Sequence, residues 1–310
     1  MAALRFAHVK YTSIEGKRYG PHVLILAGVH GDEYEPIAAA SRLLTILAGQ
    51  VQQGKVTIAP VVNRPAFRRG ARTGEDGLDL ARSCPGKREG TTTEVIAWEV
   101  SGLIATSDYL IDLHTGGTLY SIDPLCGYML HQSPEVLEKQ RQMARAFNLK
   151  TVWGTSDKLN GRTLSVARDH NIPAIYTEYG GGGGFRSFVV EEYVQGCLNV
   201  LALLGLTRGM ATANAVQYEV EDYRDESGHL QVMLAAEHEG LFEPEVNLGD
   251  FVKKGQTIGS LYDPVDGQRR SVCADQDGMV FMIRAVPSVL KGDSLGGILP
   301  VDKQKKVVIR

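Results

Sequence analysis

Short apolar runs with almost no polar interruption recur through the first two thirds of the chain. They alternate with longer stretches in which apolar residues recur every three or four positions. Val23-Leu24-Ile25-Leu26-Ala27 is the clearest run. A strand with no polar alternation is expected to be buried on both faces, as in a parallel sheet covered by helices. Similar strands are predicted over Lys55–Val62, Asp108–Leu113 and Ile172–Thr177, with others at Leu4–Thr12 and Tyr128–Leu130. The stretch Tyr34–Ala48 carries Ile37, Leu43, Leu44 and Leu47 on one face, tolerates Pro36 in its first turn and stops at Gly49, as a helix would. Thr91-Thr92-Thr93-Glu94 reads as a capping box opening a second helix, with Ile96, Val100, Leu103 and Ile104 on one side. Further helices are predicted over Glu135–Asn148, Thr163–Asn171 and Val189–Leu204. This alternation of strand and helix predicts an α/β domain.

Beyond about residue 212 the pattern changes. Gln217–Tyr223, His229–Ala236, Val252–Leu261, Arg269–Cys273 and Met279–Arg284 read as short strands divided by Gly, Asp and Pro. The expected organisation is an α/β domain over 1–211 and a smaller all-β domain over 212–310, part of which could return to pack on the first. Gly249–Gln256 resembles the hairpin of lipoyl- and biotinyl-type hammerhead domains. The Met-Lys-Met setting of their modified lysine is absent, so the likeness implies shared architecture and no carrier site.

Composition narrows the functional classes. The 310 residues are 43% apolar and 22% charged with a net charge of −3, which argues against a nucleic-acid or membrane-surface partner. The opening residues lack the apolar core of a signal peptide, and no apolar run approaches the roughly 18 residues of a membrane span. Cys84, Cys126, Cys197 and Cys273 are scattered and form no C-x-x-C pair, which suits free thiols in a reducing cytoplasm.

The candidate chemistry sits where apolar strands end. His30 and Glu33 follow the first run, His114 follows Asp108–Leu113, and Glu178 follows Ile172–Thr177. Open α/β sheets place ligands outside the carboxyl ends of their strands. An imidazole and a carboxylate three residues apart can reach one divalent ion, and a catalytic zinc typically takes three protein ligands and a water. Taken singly, Glu33 could merely complement a helix N-terminus and His30 could be a satisfied turn residue. Asp112 and Asp32 could each orient a ligating histidine or serve a turn. The stretch from Asn63 to Gly86 is long, polar and weakly periodic, and reads as a loop. It carries Arg64, Arg68, Arg69, Arg72 and Arg82: a solvated basic loop, or a grip for an anionic substrate. Gly180–Gly184 lacks the spacing of a phosphate loop, so close backbone approach or a mobile segment is expected instead. Tyr179 and Tyr120 are candidates to line a pocket.

Five segments together resemble the succinylglutamate desuccinylase/aspartoacylase family, a branch of the zinc carboxypeptidase-like hydrolases. They are Gly-Val-His-Gly-Asp-Glu (28–33), Asn-Arg-Pro-Ala (63–66), Asp-Gly-Leu-Asp-Leu-Ala-Arg-Ser-Cys-Pro-Gly (76–86), Asp-Leu-His-Thr-Gly (112–116) and Thr-Glu-Tyr-Gly-Gly-Gly (177–182). The resemblance implies a mixed sheet flanked by helices with a smaller C-terminal all-β domain. It implies one zinc ion per chain on His30, Glu33 and His114, with Glu178 as general base and then acid. By the same likeness Arg72 polarises the scissile carbonyl and Arg82 grips a substrate carboxylate. The chain departs from the family at Ala81, where Asn is usual, and at Ser83-Cys84, where an aromatic commonly precedes the proline. The implied reaction is hydrolysis of the amide bond of a small N-acylated amino acid or amine. A metallocarboxypeptidase, a small-ester hydrolase and a non-catalytic metal- or ligand-binding protein are the alternatives, and the oligomeric state is open, a homo-oligomer included.

Overall fold

The computed structural model describes residues 8–209, 213–301 and 306–310. The first part runs β1 (Thr12–Glu15), β2 (Arg18–Ala27), α1 (Tyr34–Ile46), β3 (Gln53–Ala59), α2 (Arg64–Arg69), α3 (Thr92–Ala105), β4 (Tyr109–His114), β5 (Tyr120–Met129), α4 (Pro134–Phe147), β6 (Thr151–Thr155), α5 (Thr163–Asp169), β7 (Ala174–Gly181) and α6 (Ser187–Leu203). The remainder is β8 (Tyr218–Asp222), β9 (Gly240–Pro244), β10 (Phe251–Val252), β11 (Thr257–Tyr262), β12 (Arg269–Cys273), β13 (Gly278–Arg284), β14 (Ser288–Val289), β15 (Gly296–Leu299) and β16 (Lys306–Ile309).

A mixed sheet of 12 strands dominates, with the path β1-β3-β2-β4-β7-β5-β6-β8-β16. Strands β3, β2, β4 and β7 are parallel, and β5 runs against β7. The central strands are buried on both faces, as their unbroken apolar runs predict. Val23, Ile25 and Ala27 pack with α1, α4 and α6, while Leu24 and Leu26 pack with α3 and α5 on the other face. In the C-terminal region β13 pairs with β5 and with β10 and β15, extending the large sheet. Strands β12, β11, β9 and β14 form a separate antiparallel sheet of 4 strands.

Several local expectations change. The strand expected over Leu4–Thr12 begins at Thr12; its residues 4–7, like the expected boundary at 211/212, lie outside the described residues. The backbone N–H groups of His8 and Val9 turn instead to the Glu99 carboxylate on α3. The expected loop 63–86 contains α2, capped by Asn63, whose side chain accepts from Ala66 N, and a 3-10 turn over Leu80–Arg82. Of Tyr128–Leu130, Tyr128 and Met129 are the last residues of the ten-residue β5, and Asp123-Pro124 obscures its earlier half at a shift in register. His229–Ala236 is not a strand; it contains a 3-10 turn, Leu230–Val232.

Candidate active site

Three parallel neighbours deliver the site. β2 ends just before His30, β4 ends on His114, and β7 holds Glu178 beside His114 in register. The His30 turn is fixed to the following loop, because Gly31 N donates to Ala71 O at 3.1 Å. It passes so close to α2 that a Cβ on Gly31 would stand 2.0 Å from the Ala66 carbonyl carbon.

His30, Glu33 and His114 are all buried, and one potential ligand atom from each lies within 4.8 Å of the others. Glu33 lies between the rings: its Oε1 is 2.7 Å from His30 Nδ1 and its Oε2 is 3.0 Å from His114 Nδ1. The opposite ring nitrogens meet other carboxylates, His30 Nε2 at 3.1 Å from Asp79 and His114 Nε2 at 3.2 Å from Asp112. That pattern orients both Nδ1 atoms toward Glu33, as carboxylates behind ligating histidines do in metal sites. Asp112 in turn accepts from the Thr163 hydroxyl. Asp32 plays no such part: it accepts from Thr118 N and Oγ1 and closes the turn after His114. The donor set of two imidazoles and one carboxylate therefore fits a catalytic zinc with an open position.

Charge is concentrated here. Burial opposes ionisation of Glu33, but the two histidines outweigh it and hold its carboxyl down to about 2. Burial likewise opposes protonation of His114, while Asp112 and Glu33 raise its pKa well above the ordinary value. Glu178 is the opposite case. Burial pushes its carboxyl up to about 8, with Glu33 adding to the shift and His114 and Arg72 opposing it, and its buried Oε2 has no hydrogen-bond partner among the described residues. A carboxyl poised near neutrality beside a metal-type cluster suits proton transfer.

Arg72 reaches the cluster from the loop after α2. Its Nε and Nη2 lie 3.1 and 2.8 Å from Asp79 Oδ2, and its Nη1 lies 3.4 Å from His30 Nδ1. Arg82 follows at the rim, donating to Ala81 O and to the Gln231 side chain. The cleft they share is open to solvent and spans about 740 Å³, open solvent included. His30, Glu33, His114, Glu178, Arg72 and Arg82 all line it, and so does Tyr120. Tyr179 is not among the lining residues. It follows Glu178 on β7, so its side chain points to the other face of the sheet, where it packs on the α1/α6 core with its ring 6.2 Å from that of Phe188.

Sequence reasoning missed three participants. Asp79 joins His30 to Arg72. Arg162 lines the cleft at the start of α5, its buried Nε without a partner among the described residues and its pKa lowered to about 10 by burial and by Arg82. Gln231 arrives from the C-terminal region. Asp79 alone had a signal, its place three residues before Arg82 in Asp-Gly-Leu-Asp-Leu-Ala-Arg.

Residues 19–204 match the family model described as the succinylglutamate desuccinylase/aspartoacylase catalytic domain. The chain is 34% identical over 299 residues to the N-alpha-acetyl-L-2,4-diaminobutyric acid deacetylase of Halomonas elongata, covering 91% of this chain and 83% of that protein. A solved succinylglutamate desuccinylase/aspartoacylase from Rhodobacter sphaeroides superposes with a TM-score of 0.84 at 27% identity, covering 94% of this chain and 88% of that one. A product-bound structure of the ectoine utilization protein EutE from Ruegeria pomeroyi gives a TM-score of 0.84 at 27% identity, covering 93% and 87%.

Proposed function

Starting from the fact that this chain belongs to the succinylglutamate desuccinylase/aspartoacylase family, we propose that it is a zinc-dependent hydrolase that deacylates a small N-acylated amino acid. The observation that carries the reading is the buried convergence of His30, Glu33 and His114 next to a carboxyl, Glu178, whose proton is held near neutrality. His30, Glu33 and His114 would hold one zinc ion. When bound, zinc supplies Lewis acidity, which lowers the pKa of water toward about 7 and polarises a carbonyl.

The chain's own residues do the rest. Glu178 accepts the proton of the attacking water and returns it to the leaving nitrogen, so that the amine departs neutral. Arg72, kept in place by Asp79, presents a guanidinium to the oxygen that becomes negative as the carbonyl is attacked. Arg82 and Arg162 line the same cleft and repel one another, which favours an anionic group between them such as the carboxylate of an amino acid. Gly228, Leu230 and Gln231 line the cleft from the C-terminal side, which supports a small substrate over an extended peptide.

The name of the Halomonas elongata relative makes N-α-acetyl-L-2,4-diaminobutyrate the first substrate to try. The test is amine release from a panel of N-acyl amino acids, dipeptides and acyl esters by zinc-loaded protein. Turnover of N-acyl amino acids is expected, and Glu178→Gln should bind zinc yet lose at least about 10²-fold in kcat. An active Glu178→Gln protein would remove Glu178 as the base. A zinc-bound wild type inert toward N-acyl amino acids would remove the deacylase reading. No helix among the described residues is long and apolar enough to cross a membrane.

A further inference from the structure

Residues 227–231 close the cleft from the C-terminal side and are firmly anchored. The Ser227 hydroxyl donates to Asp222 O at 2.6 Å and accepts from Ser156 N at 2.8 Å. Leu230 is buried in the cluster that contains Trp153 and Phe281. Between these anchors the segment holds both rim arginines. Gly228 O accepts from Arg162 Nη1 at 3.1 Å, and the Gln231 side chain accepts from Arg82 Nη2.

A guanidinium only donates, so the amide atom facing Arg82 must be Oε1. The NH₂ of Gln231 is thereby turned away from Arg82, and it has no hydrogen-bond partner among the described residues. Arg82 has five N–H donors; those engaged by Ala81 O and Gln231 leave the others for a ligand. Ala81, immediately before Arg82 and also on the cleft wall, carries no polar group. We propose that Gln231 is a specificity-determining residue: its Oε1 fixes the Arg82 guanidinium, and its Nε2 donates to the same substrate carboxylate as Arg82. The C-terminal region thus supplies the neutral amide donor that Ala81 cannot. This inference rests on the reading above that a substrate carboxylate sits at Arg82.

The test uses zinc-loaded wild type, Gln231→Met and Gln231→Glu. Turnover is measured with N-α-acetyl-L-2,4-diaminobutyrate and with its α-carboxamide, which has the same shape without the charge. Binding of L-2,4-diaminobutyrate and of its α-carboxamide is measured by calorimetry. Losing a hydrogen bond to a charged group should raise KM and Kd for the carboxylates about tenfold in Gln231→Met, with kcat changed by less than about twofold. The carboxamides, whose remaining carbonyl oxygen is a weaker acceptor, should lose only about threefold or less. Gln231→Glu should weaken the carboxylates further, because its own carboxylate occupies Arg82. Equal losses for carboxylate and carboxamide, a fall in kcat alone, or no change would overturn the proposal, as would a wild type that binds both product forms equally. A wild type that releases no amine would overturn the deacylase reading, while the calorimetric comparison still decides the role of Gln231.

Discussion

Replacing Asp79 with Asn should damage metal affinity and turnover together, because no orientation of an amide can satisfy what this carboxylate does. Oδ1 faces His30 Nε2 at 3.1 Å and accepts from Ala81 N at 2.9 Å. Oδ2 accepts from Arg72 Nη2 at 2.8 Å. Burial opposes the charge on Asp79, but His30 and Arg72 hold its pKa far below the usual carboxylate range, so the substitution removes a real charge at any working pH. If the new NH₂ faces Arg72, donor meets donor and the guanidinium loses its anchor. If it faces His30, it collides with the Ala81 N–H and forces the imidazole proton from Nε2 onto Nδ1, the atom that faces Glu33. Partners behind ligating histidines are typically worth about 10–100-fold in metal affinity, or about 1.4–2.8 kcal/mol. The assay is a zinc Kd by competition with a chromophoric chelator, alongside kcat/KM and melting temperatures with and without zinc. A zinc Kd within about twofold of wild type and unimpaired turnover would refute the argument that Asp79 positions His30 and Arg72.

Two further outcomes follow from the same geometry. In metal-free protein the Glu178 pKa is raised by burial from 4.5 to about 8. Its neutral form is therefore favoured by folding: the contribution is complete below the unfolded value and is lost as pH rises toward the folded one. Chelator-treated wild type should lose melting temperature relative to Glu178→Gln across that window, and parallel curves would contradict the shift. Gly31→Ala drives a Cβ into the backbone of Ala66 and Phe67. It should cost about 1–3 kcal/mol in urea unfolding of the metal-free protein, and also weaken zinc binding because the His30 turn must move; unchanged zinc affinity would show that α2 yields instead.

The residues proposed to do chemistry were legible because local pattern fixes them. His30, Glu33, His114 and Glu178 sit at or near the carboxyl ends of strands whose unbroken apolar runs can only be buried, so parallel pairing of β2, β4 and β7 brings His30, His114 and Glu178 together, while Arg72 was legible from its motif alone. The same periodicity, applied one residue further, places Tyr179 on the far face from Glu178, and Tyr176 on the cleft wall with it. Of the groups expected to choose the substrate, Arg82 was legible from its motif, but its neighbours on the rim were not. Arg162 and Gln231 lie in segments with little periodicity, and Gln231 meets Arg82 across 149 residues of sequence. His229–Ala236 has enough apolar residues to resemble a strand, yet Leu230 is drawn into the Trp153 core and the chain turns there, which is what brings Gln231 to the rim. The metal-type cluster and Glu178 are thus set by strand ends within one sheet, whereas the cleft rim is set by how a distant segment docks on it. On the proposal made for Gln231, the amide donor that Ala81 lacks comes from the C-terminal region while the metal-type cluster stays as it is.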